Sequence, residues 1–141
     1  MEGGAWRGRL ASGRVSVNRE ESGMTNSCVR ALTITSLLAI LALSLVPGAF
    51  RPHTMILPPA FEHVAAYVVA AFFLCLACHH RVPPVQLVLL LTFYGALLEL
   101  GQLWVPGRNG KLSDIGADLA GASIGMMVAL VAMHLRRFAP R

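Results

Sequence analysis

Four long apolar runs, each fenced by proline, glycine or charge, constrain this chain more than anything else in it. They cover about 31–46, 61–78, 85–105 and 115–135. A helix needs roughly 20 residues to cross the hydrocarbon core of a bilayer. The last two runs reach or approach that length, and Cys28, Val29 and Gly48 to Phe50 extend the first. Pro47-Gly48 closes the first run, Pro58-Pro59 and Pro83-Pro84 precede the second and third, and Pro106-Gly107 ends the third. Proline inside a helix loses a hydrogen bond and clashes with the preceding turn, so breakers placed between runs predict separate helices. The expected fold is all-α, a four-transmembrane-helix bundle. Composition agrees, with 55% hydrophobic residues against 13% charged.

The first run also resembles the core of a signal peptide. Its nearest cleavage candidate, Pro47-Gly48-Ala49, has proline where cleavage wants a small residue, so a retained span is the better reading. Residues 1–23 are polar, rich in Gly, Ser and Arg, and show no periodicity. They read as a disordered tail. The chain thus divides into a polar tail, 1–28, and a membrane domain, 29–141, with Met24 as an alternative translation start.

The net charge of +5 sits in tails and short loops, without the aromatic-interleaved basic stripe that nucleic-acid binding calls for. Its meaning is topological. If both termini share one side, that side carries nine Lys and Arg residues and the other three: Arg51, Arg108 and Lys111. The excess predicts cytoplasmic termini in a bacterial inner membrane. Starting at Met24, the count becomes five against three and keeps its sign. Cys28, Cys75 and Cys78 lie in or beside apolar segments and do not form a secreted disulfide framework.

Against this background the stretch from Glu99 to Asp118 stands out. Ionisable groups within or at the edge of a membrane span cost roughly 2.5 kcal/mol upward each, and survive by facing a partner, a cavity or a ligand. A helix advances about 100° per residue, so shared faces follow from spacing. Thr92, Gly95, Glu99 and Gln102 fall on one arc of the third helix; Asp114, Asp118, Gly121 and Gly125 on one arc of the fourth. The second helix groups His63, Ala66, Tyr67 and Ala70. Small residues on each face allow close approach, so the three faces are expected to converge at the outward end of the bundle. Glu99 is the hardest to explain as mere structure, because no basic residue lies within a helical turn of it. Its partner is expected to be Arg108, His63, a metal ion or a proton.

Structural explanations exist for several of these groups. Ser113 and Asp114 suit the start of the fourth helix as hydroxyl cap and dipole-matched charge. Gly121 and Gly125 form a GxxxG, extended to Ala117 and Ala129, that serves packing within the bundle or a homo-oligomer. His63, Glu99, Asp114 and Asp118 form an oxygen-rich set for a metal, but without an H-E-x-x-H or similar local signature; no resident metal or cofactor is expected. A Ser113–His63–Asp118 triad lacks a nucleophile elbow. Cys75-Leu-Ala-Cys78-His79 matches the C-x-x-C-H haem pattern, yet ends an apolar helix on the side expected to be cytoplasmic. There the cysteines read as small apolar residues and His79, His80 and Arg81 as an interfacial anchor.

From the first span to Gly125 the chain resembles the VanZ-like family of small bacterial membrane proteins. The resemblance rests on His63 with Tyr67 four later, Glu99-x-x-Gln102, Val105-Pro106-Gly107-Arg108, Ser113-Asp114, and Gly121 with Gly125. The family often has Asp-Lys where this chain has Pro59-Ala60, and Asn where it has Asp118. The first change removes an ion pair and the second adds a negative charge. The resemblance implies a four-helix membrane protein and a link to resistance against glycopeptide antibiotics of the teicoplanin type.

The functional expectation is a non-catalytic envelope protein that binds an amphiphilic, lipid-linked or lipoglycopeptide ligand at an outward polar site. Arg108 and Lys111 would meet an anionic headgroup, while His63, Tyr67, Glu99, Gln102, Ser113, Asp114 and Asp118 shape the pocket beneath. Gly95, Gly121 and Gly125 would serve helix packing. The alternatives are a proton- or cation-coupled transporter and, ranked third, a membrane-embedded enzyme acting on lipid headgroups.

Overall fold

The computed structural model describes residues 26–50 and 58–138, with Pro59 described by its backbone alone. Four helices, each long and apolar enough to cross a membrane, account for most of it: α1 Asn26–Leu45, α2 Pro59–Cys78, α3 Pro84–Gln102 and α4 Leu112–Phe138. A single 3-10 turn, Gly48–Phe50, follows α1. No strand occurs among the described residues. The protein is a multi-pass membrane protein built as an all-helical bundle.

The breakers act much as the sequence predicts. The second proline of each pair, Pro59 and Pro84, begins its helix, where the missing N–H is one that a helix leaves unpaired anyway. The boundaries shift by a few residues. α1 starts with a polar turn before the apolar run, so residues 26–28, placed in the tail on sequence, are helical. α3 stops at Gln102 rather than near Val105, because Leu103, Trp104 and Val105 turn back with their N–H groups on Leu100, Gly101 and Gln102. α4 begins at Leu112, which corrects the reading of Ser113 as its cap. Ser113 lies in the first turn and its hydroxyl donates to the neighbouring Asp114 carboxylate at 3.1 Å. The expectations for the tail up to residue 25, for Met24 and for Arg51 lie outside the described residues.

α4 packs most extensively on α2, and two glycines explain why. A Cβ on Gly121 would meet the backbone of Val64, and one on Gly125 would lie 2.9 Å from the Val68 Cα. The GxxxG stripe is therefore spent inside the bundle, holding two backbones in contact. Two apolar clusters fill the interior. One joins Ile40, Tyr67, Ala70, Ala71, Leu91, Leu98 and Ala122; the other joins Cys75, Leu87, Met126 and Ala129. The large apolar residues on the outside, such as Leu89, Leu90, Phe93, Met127 and Val131, are those a bilayer would solvate.

Up–down connectivity brings the end of α1, the start of α2, the end of α3 and the start of α4 to the same end of the bundle. The loop from α3 to α4 is clasped there against α1. The Gly48 N–H donates to Pro106 O at 3.1 Å, and a Cβ on Gly48 would strike the Gly107 backbone. Gly107 itself has φ 74°, a conformation that side chains rarely tolerate.

Candidate functional site

The site is assembled from three helices at the clasped end. Asp118, 1% exposed, is its innermost group. His63 reaches it from the first turns of α2, with Nδ1 at 2.9 Å from Asp118 Oδ1. A carboxylate only accepts, so Nδ1 carries the proton and donates. The ring is thereby fixed with Nε2 directed away from Asp118, and its neighbour there is Asp114 Oδ2 at 3.9 Å. The Tyr67 hydroxyl, one turn below His63, lies beside the same Asp118 carboxylate, both facing Gly95. Gly95 of α3 makes room for both: a Cβ there would run into the Asp118 carboxylate and stand 2.6 Å from the Tyr67 hydroxyl oxygen.

Glu99 approaches from the last turn of α3 and is 5% exposed. Its Oε2 accepts the Lys111 backbone N–H at 2.9 Å. Lys111 immediately precedes α4, so the carboxylate sits at the positive end of that helix dipole. Gly110 lets the loop cross this closely, since a Cβ there would collide with the Glu99 carbonyl. One ligand-capable atom each from His63, Glu99 and Asp114 lies within 4.8 Å of the other two. Gln102 follows Glu99 by one turn on the buried face, 4% exposed, and its Nε2 has no hydrogen-bond partner among the described residues.

Of the residues expected at this site, His63, Tyr67, Glu99, Asp114 and Asp118 are brought together, with Gly95 between them. Gln102 is buried alongside. Ser113 is exposed at the rim, its hydroxyl donating to Asp114. Thr92 shares the arc but satisfies itself, donating to Val88 O at 2.9 Å. Lys111 takes part through its backbone, while its residue as a whole is exposed. Arg108 turns elsewhere: its Nη2 donates to the carbonyls of Leu43 at 3.2 Å and Ser44 at 2.9 Å. These are among the last carbonyls of α1, which the helix leaves unpaired and which a cation suits. A second tie to α1 is the Tyr94 hydroxyl, donating to Leu37 O at 2.8 Å.

Sequence reasoning missed Gly110 and the Lys111 N–H as the cradle of Glu99, and Tyr94 as an anchor for α1. Pro106-Gly107 marked the end of the third run, but nothing in the sequence tells which backbone donor meets which acid. At the far end, Cys75 is buried among Leu87, Met126 and Ala129. The His79 ring Nδ1 lies 3.2 Å from Cys75 O and the ring lies against His80, the ring centres 3.6 Å apart and the planes tilted by 44°. The C-x-x-C-H segment is therefore turned into helix packing at its first cysteine.

Chemically the arrangement is a largely buried acidic cluster, here called the cup. Three carboxylates and one imidazole share it, with a tyrosine hydroxyl and an amide as neutral polar neighbours. Neither a curated protein nor a solved structure matches the chain. A family model does, the one described as VanZ/LLP1, over residues 14–133. That span takes in all four helices from before α1 almost to the end of α4, and with them every group of the cup. By that match this chain belongs to the VanZ/LLP1 family.

Proposed function

We propose that the protein is an envelope protein of the bacterial inner membrane that binds the polar head of an amphiphilic ligand in the cup, with the ligand's apolar part left in the lipid. The carrying observation is Gln102. Its amide nitrogen is buried and unpartnered, one helical turn beyond the buried Glu99. A buried donor without an acceptor costs about 1–3 kcal/mol, and a ligand oxygen would remove that cost. The position of the cup fits an amphiphile, since it lies at one end of the bundle next to a lipid-facing surface. Transport has less support. Glu99 and Asp118 are the buried charged residues among those described, and both belong to the cup. The interior beyond is closed by Cys75, Leu87, Met126 and Ala129.

The family resemblance supplies the ligand class to try first, a lipoglycopeptide of the teicoplanin type. The full chain in lipid nanodiscs should retain such a compound and fail to retain a glycopeptide without the acyl chain. Gln102→Leu should weaken retention at least tenfold while leaving helicity and monodispersity intact. Equal retention of both compounds, or undiminished retention by Gln102→Leu, would refute the binding role. The excess of Lys and Arg supports cytoplasmic termini. A single cysteine at the exposed Asn109, in a Cys-free background, should then react with an impermeant maleimide on intact cells.

A further inference from the structure

We propose that His63, Glu99 and Asp114 hold one divalent first-row transition-metal ion, of the Mn²⁺ to Zn²⁺ kind, at the mouth of the cup. The proposal rests on the site described above and deepens its reading: the ion would be the cation through which an anionic head is held.

Geometry comes first. Nitrogen and oxygen ligands of such ions sit at about 2.0–2.2 Å, so ligand atoms around one ion stand at most about 4.4 Å apart. The three here, from three different helices, already lie within 4.8 Å of one another. Closing the remaining gap takes a small side-chain rotation rather than a helix movement. An imidazole with two carboxylates suits this class of ion better than the all-oxygen shells of Ca²⁺ or Mg²⁺.

Asp118 supplies a further reason without being one of the three ligands. Metal-bound histidines commonly donate their other ring N–H to a carboxylate, which fixes the tautomer and leaves a lone pair for the ion. Asp118, almost wholly buried, does this to His63 Nδ1 at 2.9 Å. Nε2 is then directed to where Asp114 stands at 3.9 Å, outside hydrogen-bond reach.

Gln102 is an observation independent of the acids. A buried amide nitrogen lacking an acceptor, one turn beyond Glu99, is the donor that an ion-bound water or a ligand oxygen would satisfy. Charge points the same way. His63 meets Asp114 and Asp118, while Lys111 offers Glu99 only a backbone N–H. A dipole terminus carries only about half a charge. A dication restores the balance.

The test uses the full chain in nanodiscs, stripped with a chelator and titrated separately with Zn²⁺ and Mn²⁺. Bound metal is counted by elemental analysis and affinity read by competition with a fluorescent chelator. One ion per chain is expected, together with a rise in unfolding temperature on loading. Glu99→Gln and Asp114→Asn should each weaken binding at least tenfold, and Asp118→Asn between about tenfold and a hundredfold. Binding below one ion per ten chains, or undiminished affinity in Glu99→Gln and Asp114→Asn proteins that remain helical and monodisperse, overturns the proposal. Retention of the lipoglycopeptide by the chelator-stripped protein sinks the ion's role and spares the binding function. One tight ion with no ligand retained does the reverse.

Discussion

At one end of the bundle Cys75, Leu87, Met126 and Ala129 close into an apolar core. At the other end the same three helices, α2, α3 and α4, hold His63, Glu99, Asp114 and Asp118 against each other. Both ends are well packed and both use small residues to bring backbones together. They differ in what fills the space so gained. At the apolar end small residues admit neighbouring side chains; at the polar end Gly95 admits a carboxylate and a phenol. The comparison teaches that polarity in this fold is tolerated by convergence. Asp118 of α4 is answered by His63 of α2, and Glu99 of α3 by the Lys111 N–H at the start of α4.

If convergence is what matters, an acid placed at the apolar end should be far worse than the acids already present. Ala129→Asp tests this directly. Ala129 is fully buried and packs with Cys75, Leu87 and Met126, none of which can answer a carboxylate. An uncompensated buried charge costs about 3–5 kcal/mol, and crowding at a site with no spare volume adds to it. The expected result is loss of monodisperse, folded protein in detergent. A variant that purifies normally and unfolds within a few degrees of the parent would break the comparison, because the apolar end would then tolerate polarity unaided.

The next largest effect falls on what the two ends share, the glycine seam between α2 and α4. Gly125 faces the Val68 backbone, which cannot yield as a flexible side chain would. Gly125→Val should cost about 3 kcal/mol, the upper end of the usual range for overpacking. Thermal unfolding in detergent reads this out. Gly116, whose added Cβ would meet nothing within 4 Å, is the control on the same helix. Equal effects at the two positions would mean that helix propensity, not the seam, governs stability.

The parts of this architecture legible in the sequence are those written in periodicity. Apolar runs with prolines between them yield four helices, and 100° spacing places His63, Glu99, Asp114 and Asp118 on facing arcs. Glu99's dependence on a neighbouring element was also readable from the lack of a nearby base. What could not be read is where backbone donors and loop side chains end up. Lys111 meets Glu99 through an N–H that every residue but proline possesses, so its identity carries no signal. The direction of Arg108 depends on Gly107 at φ 74° and on the backbone contact of Gly48 with the same loop. Those are tertiary facts, and sequence alone left Arg108 free to face a ligand.

Arg108 therefore yields the smallest of these effects and the sharpest separation between holding the bundle and serving the cup. Its guanidinium bridges the loop to two carbonyls at the end of α1. Hydrogen bonds from a charged donor contribute about 1.5–3 kcal/mol when buried, and the partial exposure here argues for the lower figure. Arg108→Ala should lower the unfolding temperature modestly and speed hydrogen exchange in the last turn of α1. Metal affinity and ligand retention at His63, Glu99 and Asp114 should stay within about twofold, because the clasp and the cup use different acceptors. Arg108→Lys should restore only part of the loss, since an ammonium lacks the fixed fork that reaches two carbonyls at once. Should Arg108→Ala instead abolish ligand retention while α1 stays protected, the arginine would belong to the cup, and its contact with α1 would be a resting position from which it turns to meet an anionic head.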